Sequence, residues 1–252
     1  MSLFGKPSDN KSDELDIALG KDNYRVINVI GKNNNLSILN SDVWDGGVLK
    51  KVWLTIPTIH NLVSTSVNDS FTGTHAKIIK LFGLNENFEE IDEIIFLNGT
   101  TPVNTVKQYL RINMCNVIDV GVSGNSNDGV ITISDGTNVQ GKILQGNSFL
   151  QNSHYSIPKG WNAYVKILNI STDRNGIAVL DTIANFKFNN NPNFIQPINR
   201  FSLGGTNELV SLNLDYFYSF PEKSDLWVSS SSVSGVSEIV VYYTIILKKI
   251  EN

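Results

Sequence analysis

Between residues 209 and 220 the chain reads LVSLNLDYFYSF, and between 238 and 250 it reads EIVVYYTIILKKI. Val210, Leu212, Leu214, Tyr216, Tyr218 and Phe220 recur at every second position, as do Ile239, Val241, Tyr243, Ile245 and Leu247. A period of two puts each set on one face of an extended strand, whereas a helix would scatter them around its axis. Both stretches therefore demand β-structure with one face turned to a core.

The same reasoning predicts strands over 24–30, 36–39, 48–56, 76–82, 110–120, 130–134, 142–144, 149–157, 163–170, 177–188 and 226–228. Turn chemistry separates them: Gly31 with Asn33, Asn34 and Asn35; Trp44-Asp45-Gly46-Gly47; a polar stretch over 60–71 with Asn68-Asp69-Ser70; 121–129; 135–138; and a loop with two prolines over 189–200. Within 48–56, Val52, Leu54 and Ile56 share one face and Lys51, Trp53 and Thr55 the other. Within 110–120, Leu110, Ile112, Met114, Ile118 and Val120 point inward with Asn116, and Arg111, Asn113 and Asp119 point outward. Residues 83–110 read as a meander of turn, acidic strand, Asn98-Gly99 turn and strand. No helix longer than two turns is predicted.

Short strands at this spacing indicate an all-β chain of antiparallel β-sandwich or jelly-roll type. The expected organisation is an N-terminal arm over 1–23, in which only 12–19 suits a helical turn, followed by sandwich domains over 24–140 and 141–252. A single interleaved jelly roll over 24–252, with its first and last strands paired, is the alternative.

Charged residues make up 17% of the chain, below the ~25% of an average soluble protein. Asn, Ser and Thr supply the polar surface instead. A net charge of −4 with 20 scattered basic residues leaves no footprint for nucleic acid. Cys115, the one cysteine, has no internal disulfide partner, and 1–23 does not resemble a signal peptide. The expectation is a soluble protein folded in a reducing compartment, with no membrane partner.

Candidate chemistry is sparse. Glu86, Glu89, Glu90, Asp92 and Glu93 form an acidic group, but alternation sends Asp92 and Glu93 to opposite faces, so a solvated strand end is expected rather than a metal site or carboxylate pair. His60, His75 and His154 lie far apart in sequence and outside any metal-ligand spacing. No GxSxG surrounds a serine, and Ser123-Gly124-Asn125-Ser126 is turn chemistry. Cys115 reads as a packed thiol. Asp128-Gly129 and Asp135-Gly136 read as hairpin turns, and Gly204-Gly205 as another turn without phosphate-loop spacing. The sequons at Asn68, Asn98 and Asn169 carry no weight without a secretory signal. Trp53, Tyr109, Trp161 and Trp227 are candidates for stacking on sugar rings if exposed and for core otherwise. No catalytic, cofactor-binding or metal-binding residue is assigned, and no cofactor is expected.

Residues 71–112 read FTGTHAKIIKLFGLNENFEEIDEIIFLNGTTPVNTVKQYLRI. In Gly73-Thr74, Gly83-Leu84, Glu90, Glu93, Leu97-Asn98-Gly99-Thr100-Thr101-Pro102-Val103 and Leu110-Arg111 the segment resembles one that recurs in virion structural proteins of tailed phages, notably marine cyanophages. His75 and Asn85 depart from that pattern, where a small residue and Asp are common. The run from Tyr155 through Ser156, Ile157, Pro158, Lys159, Gly160, Trp161, Asn162 and Ala163 to Tyr164 is similar to a second motif of the same proteins, with Lys159 and Trp161 as substitutions.

The resemblance implies a non-enzymatic structural component of a tailed-phage virion, on the head or vertex surface or in the neck or tail, assembled in the host bacterial cytoplasm. Its expected partners are further copies of itself, a trimer being one option, with the arm over 1–23 docking on a neighbour, and other virion proteins such as capsid or tail subunits. A receptor- or glycan-binding virion module using loops 121–129 and 189–200 is the first alternative. A polysaccharide depolymerase acting through Glu90 and Asp92 is the second.

Overall fold

A computed structural model describes residues 21, 23–36, 41–47, 50–174, 181–191, 194–204, 208–232 and 237–251. The described residues form strands and turns and no helix, so the fold is all-β and of antiparallel sandwich type. In chain order the strands are β1 (Tyr24–Leu36), β2 (Ser41–Asp42), β3 (Asn61–Ser64), β4 (Ala76–Leu84), β5 (Glu90–Phe96), β6 (Val103–Asn104), β7 (Arg111–Val120), β8 (Ile131–Ser134), β9 (Val139–Ile143), β10 (Tyr155–Ser156), β11 (Trp161–Arg174), β12 (Asp181–Asn191), β13 (Phe194–Gly204), β14 (Glu208–Phe220), β15 (Asp225–Ser232) and β16 (Ser237–Lys249).

The alternation over 239–247 does what it demands. Ile239, Val241, Tyr243, Ile245 and Leu247 are fully buried, each contributing roughly 1.5–3 kcal/mol relative to exposure. Strand β16 lies between β1 and β11 in a sheet ordered β1-β16-β11-β14, with Val29 opposite Tyr243 and Ile170 opposite Val241. A second sheet runs β10-β15-β12-β13, with β2 also paired to β15. The two sheets share one hydrophobic core, in which Val29 and Val43 meet Ile157, Val165, Leu226, Val228 and the β16 row.

Residues 61–150 build two further sheets, β6-β3-β8-β9 and β5-β4-β7. Their common core holds Leu62, Ile131, Ile133 and Ile143 from one and Ile79, Leu81, Ile95, Ile112 and Cys115 from the other. Thus β1, although early in the chain, belongs with the last strand, and the strands between 61 and 143 have a core of their own.

Several local expectations are corrected. Strand β1 runs through the asparagines at 33–35 instead of turning there, with its register shifting between Asn33 and Leu36. The buried Asn33 amide donates to Asp42 O at 3.0 Å and Gly47 O at 2.8 Å, which meets the cost of burying it. Residues 50–54 are not a strand. Of the two faces expected there, Val52 and Ile56 of the apolar set are exposed, while Lys51 of the other set is buried. The polar stretch 60–71 contains β3, and 149–157 contains only the short β10. Much of the expected loop 189–200 is strand, the end of β12 and most of β13. Pro197 is tolerated there because β13 is a sheet edge. The expected meander is not local, since β6 leaves it to pair with β3 while β5 and β7 flank β4. The arm over 1–23 lies outside the described residues except at 21 and 23, and so do 37–40 and 175–180.

Strand β7 is the most instructive correction. Gly83 pairs Ile112 and Phe82 pairs Met114, so Asn113 is an extra residue on β7. Such a bulge inverts the parity of the residues that follow it, up to a second irregularity at Ile118, which stands between the pairs Ile79–Val117 and Ile78–Asp119. Ile112 points inward as expected, but Cys115 then takes the core position, Val117 packs beside it, and Met114 and Ile118 are turned out.

Candidate functional site

A dense group of buried charged side chains lies where β7 meets β2, β10 and β15. Arg111, the first residue of β7, grips Asp225, the first of β15, with Nε to Oδ1 at 2.9 Å and Nη2 to Oδ2 at 3.0 Å. Its Nη1 donates to Leu54 O at 2.7 Å and Leu110 O at 2.9 Å. Ser156 Oγ donates to Asp225 Oδ1 at 2.5 Å. Asp42 Oδ2 accepts the Lys51 amide at 2.8 Å and faces His154 Nε2 at 3.1 Å. His154 Nδ1 meets Asn152 Oδ1.

Trp53 fills the middle. Its ring centroid is 5.3 Å from that of His154 and 5.4 Å from that of Trp227, with Lys51 Nζ at 5.3 Å and Arg111 Cζ at 5.1 Å. Two cations over one indole are the electrostatically favoured use of its face. Short sequence signals hold the parts in place. Asn113, the bulge residue, accepts Ser156 N and donates to Ser156 O, both at 2.9 Å, standing in for a ladder pair between β7 and β10.

Burial dominates the protonation states. It lowers the Lys51 ammonium to about 8, with nearby Arg111 acting in the same direction and Asp225 and Asp42 opposing. It also holds His154 below the ordinary imidazole value, against the pull of Asp42. At the edge of the group Asp45 is raised to about 7 by burial, only partly offset by the Gln151 amide.

A His–Asp pair, a lysine titrating near neutrality and a hydroxyl on a carboxylate are ingredients of acid–base chemistry. Here they face one another: Asp42, Lys51, Arg111, His154, Ser156 and Asp225 are all buried. A cleft of about 370 Å³, lined by Ile27, Phe82, Leu84, Ile91, Met114 and Tyr155 among others, and a smaller one of about 110 Å³ beside it are lined by none of these six. The group ties elements together.

The residues singled out in the sequence do not converge. Glu90 pairs with Arg25 at 2.7 Å, Asp92 with Lys80 at 3.3 Å and Glu89 with Lys159 at 3.2 Å. Glu93 accepts the amides of Val106 and Lys107 at 2.8 and 3.0 Å. The acidic strand is thus a row of tethers. Among the described residues no group of three or more His, Cys, Asp or Glu is placed to hold a metal. His60 is buried on Thr58 O, and His75 is half-buried 3.9 Å from Asp128. Cys115 is buried, which pushes its thiol up, far from thiolate character. Tyr109, Trp161 and Trp227 are buried. The loop over 121–129 is pinned by Asp69, which accepts the Asp128 and Gly129 amides at 2.8 Å each, and Asp135 caps its own turn.

Sequence reasoning missed Asp42, Lys51, Asp69, Asn113 and Asp225. Each is a single polar residue in a turn or strand, and its partners are brought to it only by the topology. Arg111 was placed on the solvent face by alternation, and the structure buries it on Asp225.

No family model matches the chain, and no curated protein matches it. Solved structures of infectious bursal disease virus align weakly. The Gx strain structure is 9% identical over 92% of this chain and 77% of that one at a TM-score of 0.20. The Gt strain structure is 10% identical over 92% and 78% at 0.20, and the VP2 subviral particle 8% identical over 92% and 78% at 0.19. A likeness at that level carries no inference about this chain's role.

Proposed function

We propose that the chain is a non-enzymatic structural subunit of a tailed-phage virion, on the head or vertex surface or in the neck or tail, assembling with copies of itself after folding in the host cytoplasm. The observation that carries this reading is where the phage-like residues sit. Leu97 is core, and Gly99 adopts a φ of 60° while its amide donates to Asp69 O at 2.8 Å. A Cβ on Gly83 would come within 2.1 Å of Arg111 O. Arg111 itself holds Asp225, and Tyr155, Ile157 and Trp161 are core. The residues that carry the resemblance are therefore scaffold and not a reactive site, which supports a structural role.

The same reading treats the chain as two sandwich units, the one over 61–150 inserted into the one formed by 24–43 and 155–249. A glycan-binding role would have to use surfaces other than Tyr109, Trp161 and Trp227, whose truncation would empty the core. A depolymerase would need Glu90 and Asp92 free, and both are paired to basic residues. Proteomic analysis of purified phage particles tests the proposal: many copies per particle are expected, and absence from particles that contain the other virion proteins would overturn it.

A further inference from the structure

The sheet β5-β4-β7 buries one face in its own core, while its other face exposes a run of apolar side chains around a central Lys80–Asp92 pair and borders the cleft lined by Ile27 and Tyr155. On the outer face the register sets Phe96 beside Ile78, Ile94 beside Lys80, and Phe82 between Asp92 on β5 and Met114 on β7. Phe71 packs edge-on against Phe96 at 5.0 Å, extending the patch past the end of β5. Phe71, Ile94, Phe96, Met114 and Ile118 are exposed by 52, 53, 50, 37 and 50%. Together they present roughly 500 Å² of apolar surface, the size at which a patch on a soluble protein is commonly functional. The cause is in the backbone, because the Asn113 bulge turns Met114 outward and Ile118 is the extra residue of a second irregularity between Val117 and Asp119.

We infer that this face is a homotypic contact, in which the outer face of β5-β4-β7 on one copy of the chain packs against the same face of a second copy; the inference rests on the self-assembling reading above and assigns it a surface. Three features select that occupant. At its centre the face carries one charge of each sign, Lys80 and Asp92, 3.3 Å apart, with exposed Asp119 opposite Ile78 at one end and the Glu90–Arg25 pair at the other. A polyanion such as nucleic acid finds no net positive field there. A second copy turned about a two-fold axis brings its Asp92 towards this Lys80 and its Lys80 towards this Asp92, so the patch complements itself. An apolar centre of roughly 500 Å² inside a polar rim is also what a contact burying about 800 Å² per partner contains. Lys80, whose Nζ lies 4.7 Å from the Phe82 ring centroid, keeps its stem on apolar surface while its ammonium pairs with Asp92.

The test is sedimentation velocity on the full chain across a concentration series, with far-UV circular dichroism on each variant. Wild type is expected to self-associate, and Ile94→Glu/Phe96→Glu to remain monomeric with an unchanged spectrum. Lys80→Asp is expected to weaken association by about tenfold or more, and Lys80→Asp/Asp92→Lys to restore it. If the β5 double variant fails to fold, Met114→Lys on β7 and Lys80→Asp on β4 decide the matter from the other strands of the same face. Association of native wild-type strength in the folded variants overturns the surface while leaving self-assembly intact through another face. A wild type that stays monomeric overturns the contact, and particle composition then decides the virion reading separately. Lysine cross-linking of mixed light and heavy chains supplies the remaining outcome. Links from Lys80 to Lys80 between chains support the contact, whereas links from Lys80 to Lys6 or Lys11 within one chain would put the N-terminal segment on the face and overturn it.

Discussion

Arg111 and Asp225 are 114 positions apart in sequence, buried, and joined by a two-toothed ion pair. Pairs of this kind are costly to break from one side, because the survivor is left charged without a partner. Asp225→Ala is expected to lower stability by about 3–5 kcal/mol, read as a shift in the denaturant midpoint. Three neighbouring groups set the pH dependence. Burial raises Asp45 to about 7, so its stabilising contribution is complete below the ordinary carboxylate value of 3.8 and is lost as pH rises through about 7. Asp45→Asn should therefore gain over wild type on going from pH 4 to pH 8, by about 1–3 kcal/mol, and thermal melts at both pH values check it. Lys51 has the opposite sign. Depressed from 10.5 to about 8, it makes the fold more stable as pH rises between those values, and Lys51→Met should flatten that rise. His154, held below 6.5, makes stability fall as pH drops through the imidazole range. None of these residues was legible as special in the sequence. A lone Lys in an alternating run looks solvated until the fold closes over it.

At the scale of the element, alternation was an accurate guide wherever a strand was regular. Over 239–247 the sequence alone tells which side chains are buried, since a central strand paired on both sides has no freedom to slip. It misled over 50–56, where apolar residues stand outside on irregular backbone, and in β7, where Asn113 breaks the count. Asparagine is unremarkable in this Asn-rich chain, so nothing local announced the bulge. What holds it is tertiary, the paired hydrogen bonds from the Asn113 amide to Ser156. Asn113→Ala is expected to cost about 1–3 kcal/mol. Cys115, which the bulge turns inward, provides a direct probe: in native protein it should resist thiol reagents at neutral pH and react only as the fold opens. Rapid labelling of native protein would contradict the inverted parity.

For the molecule as a whole, the sequence disclosed the fold class and the strand-rich plan, because period two and turn chemistry are local. Pairing of the first and last strands was open only as an alternative, and the structure realises it in β1 and β16; that a charged group joins the two cores was not disclosed, because contacts across more than 100 residues leave no local trace. All four tryptophans, at 44, 53, 161 and 227, lie in the core containing β16 or in the junction, while Cys115 lies in the other core. If the proposed sandwich units are coupled through Arg111 and Asp225, tryptophan fluorescence and Cys115 labelling should trace one unfolding curve in wild type and separate in Asp225→Ala. Two distinct wild-type curves would contradict the coupling. The central claim, a structural subunit whose phage-like residues are scaffold, is most directly tested on the particle itself. Quantitative mass spectrometry of purified virions should find this chain in many copies at a fixed ratio to the other structural proteins, and intact virions that lack it would contradict the account.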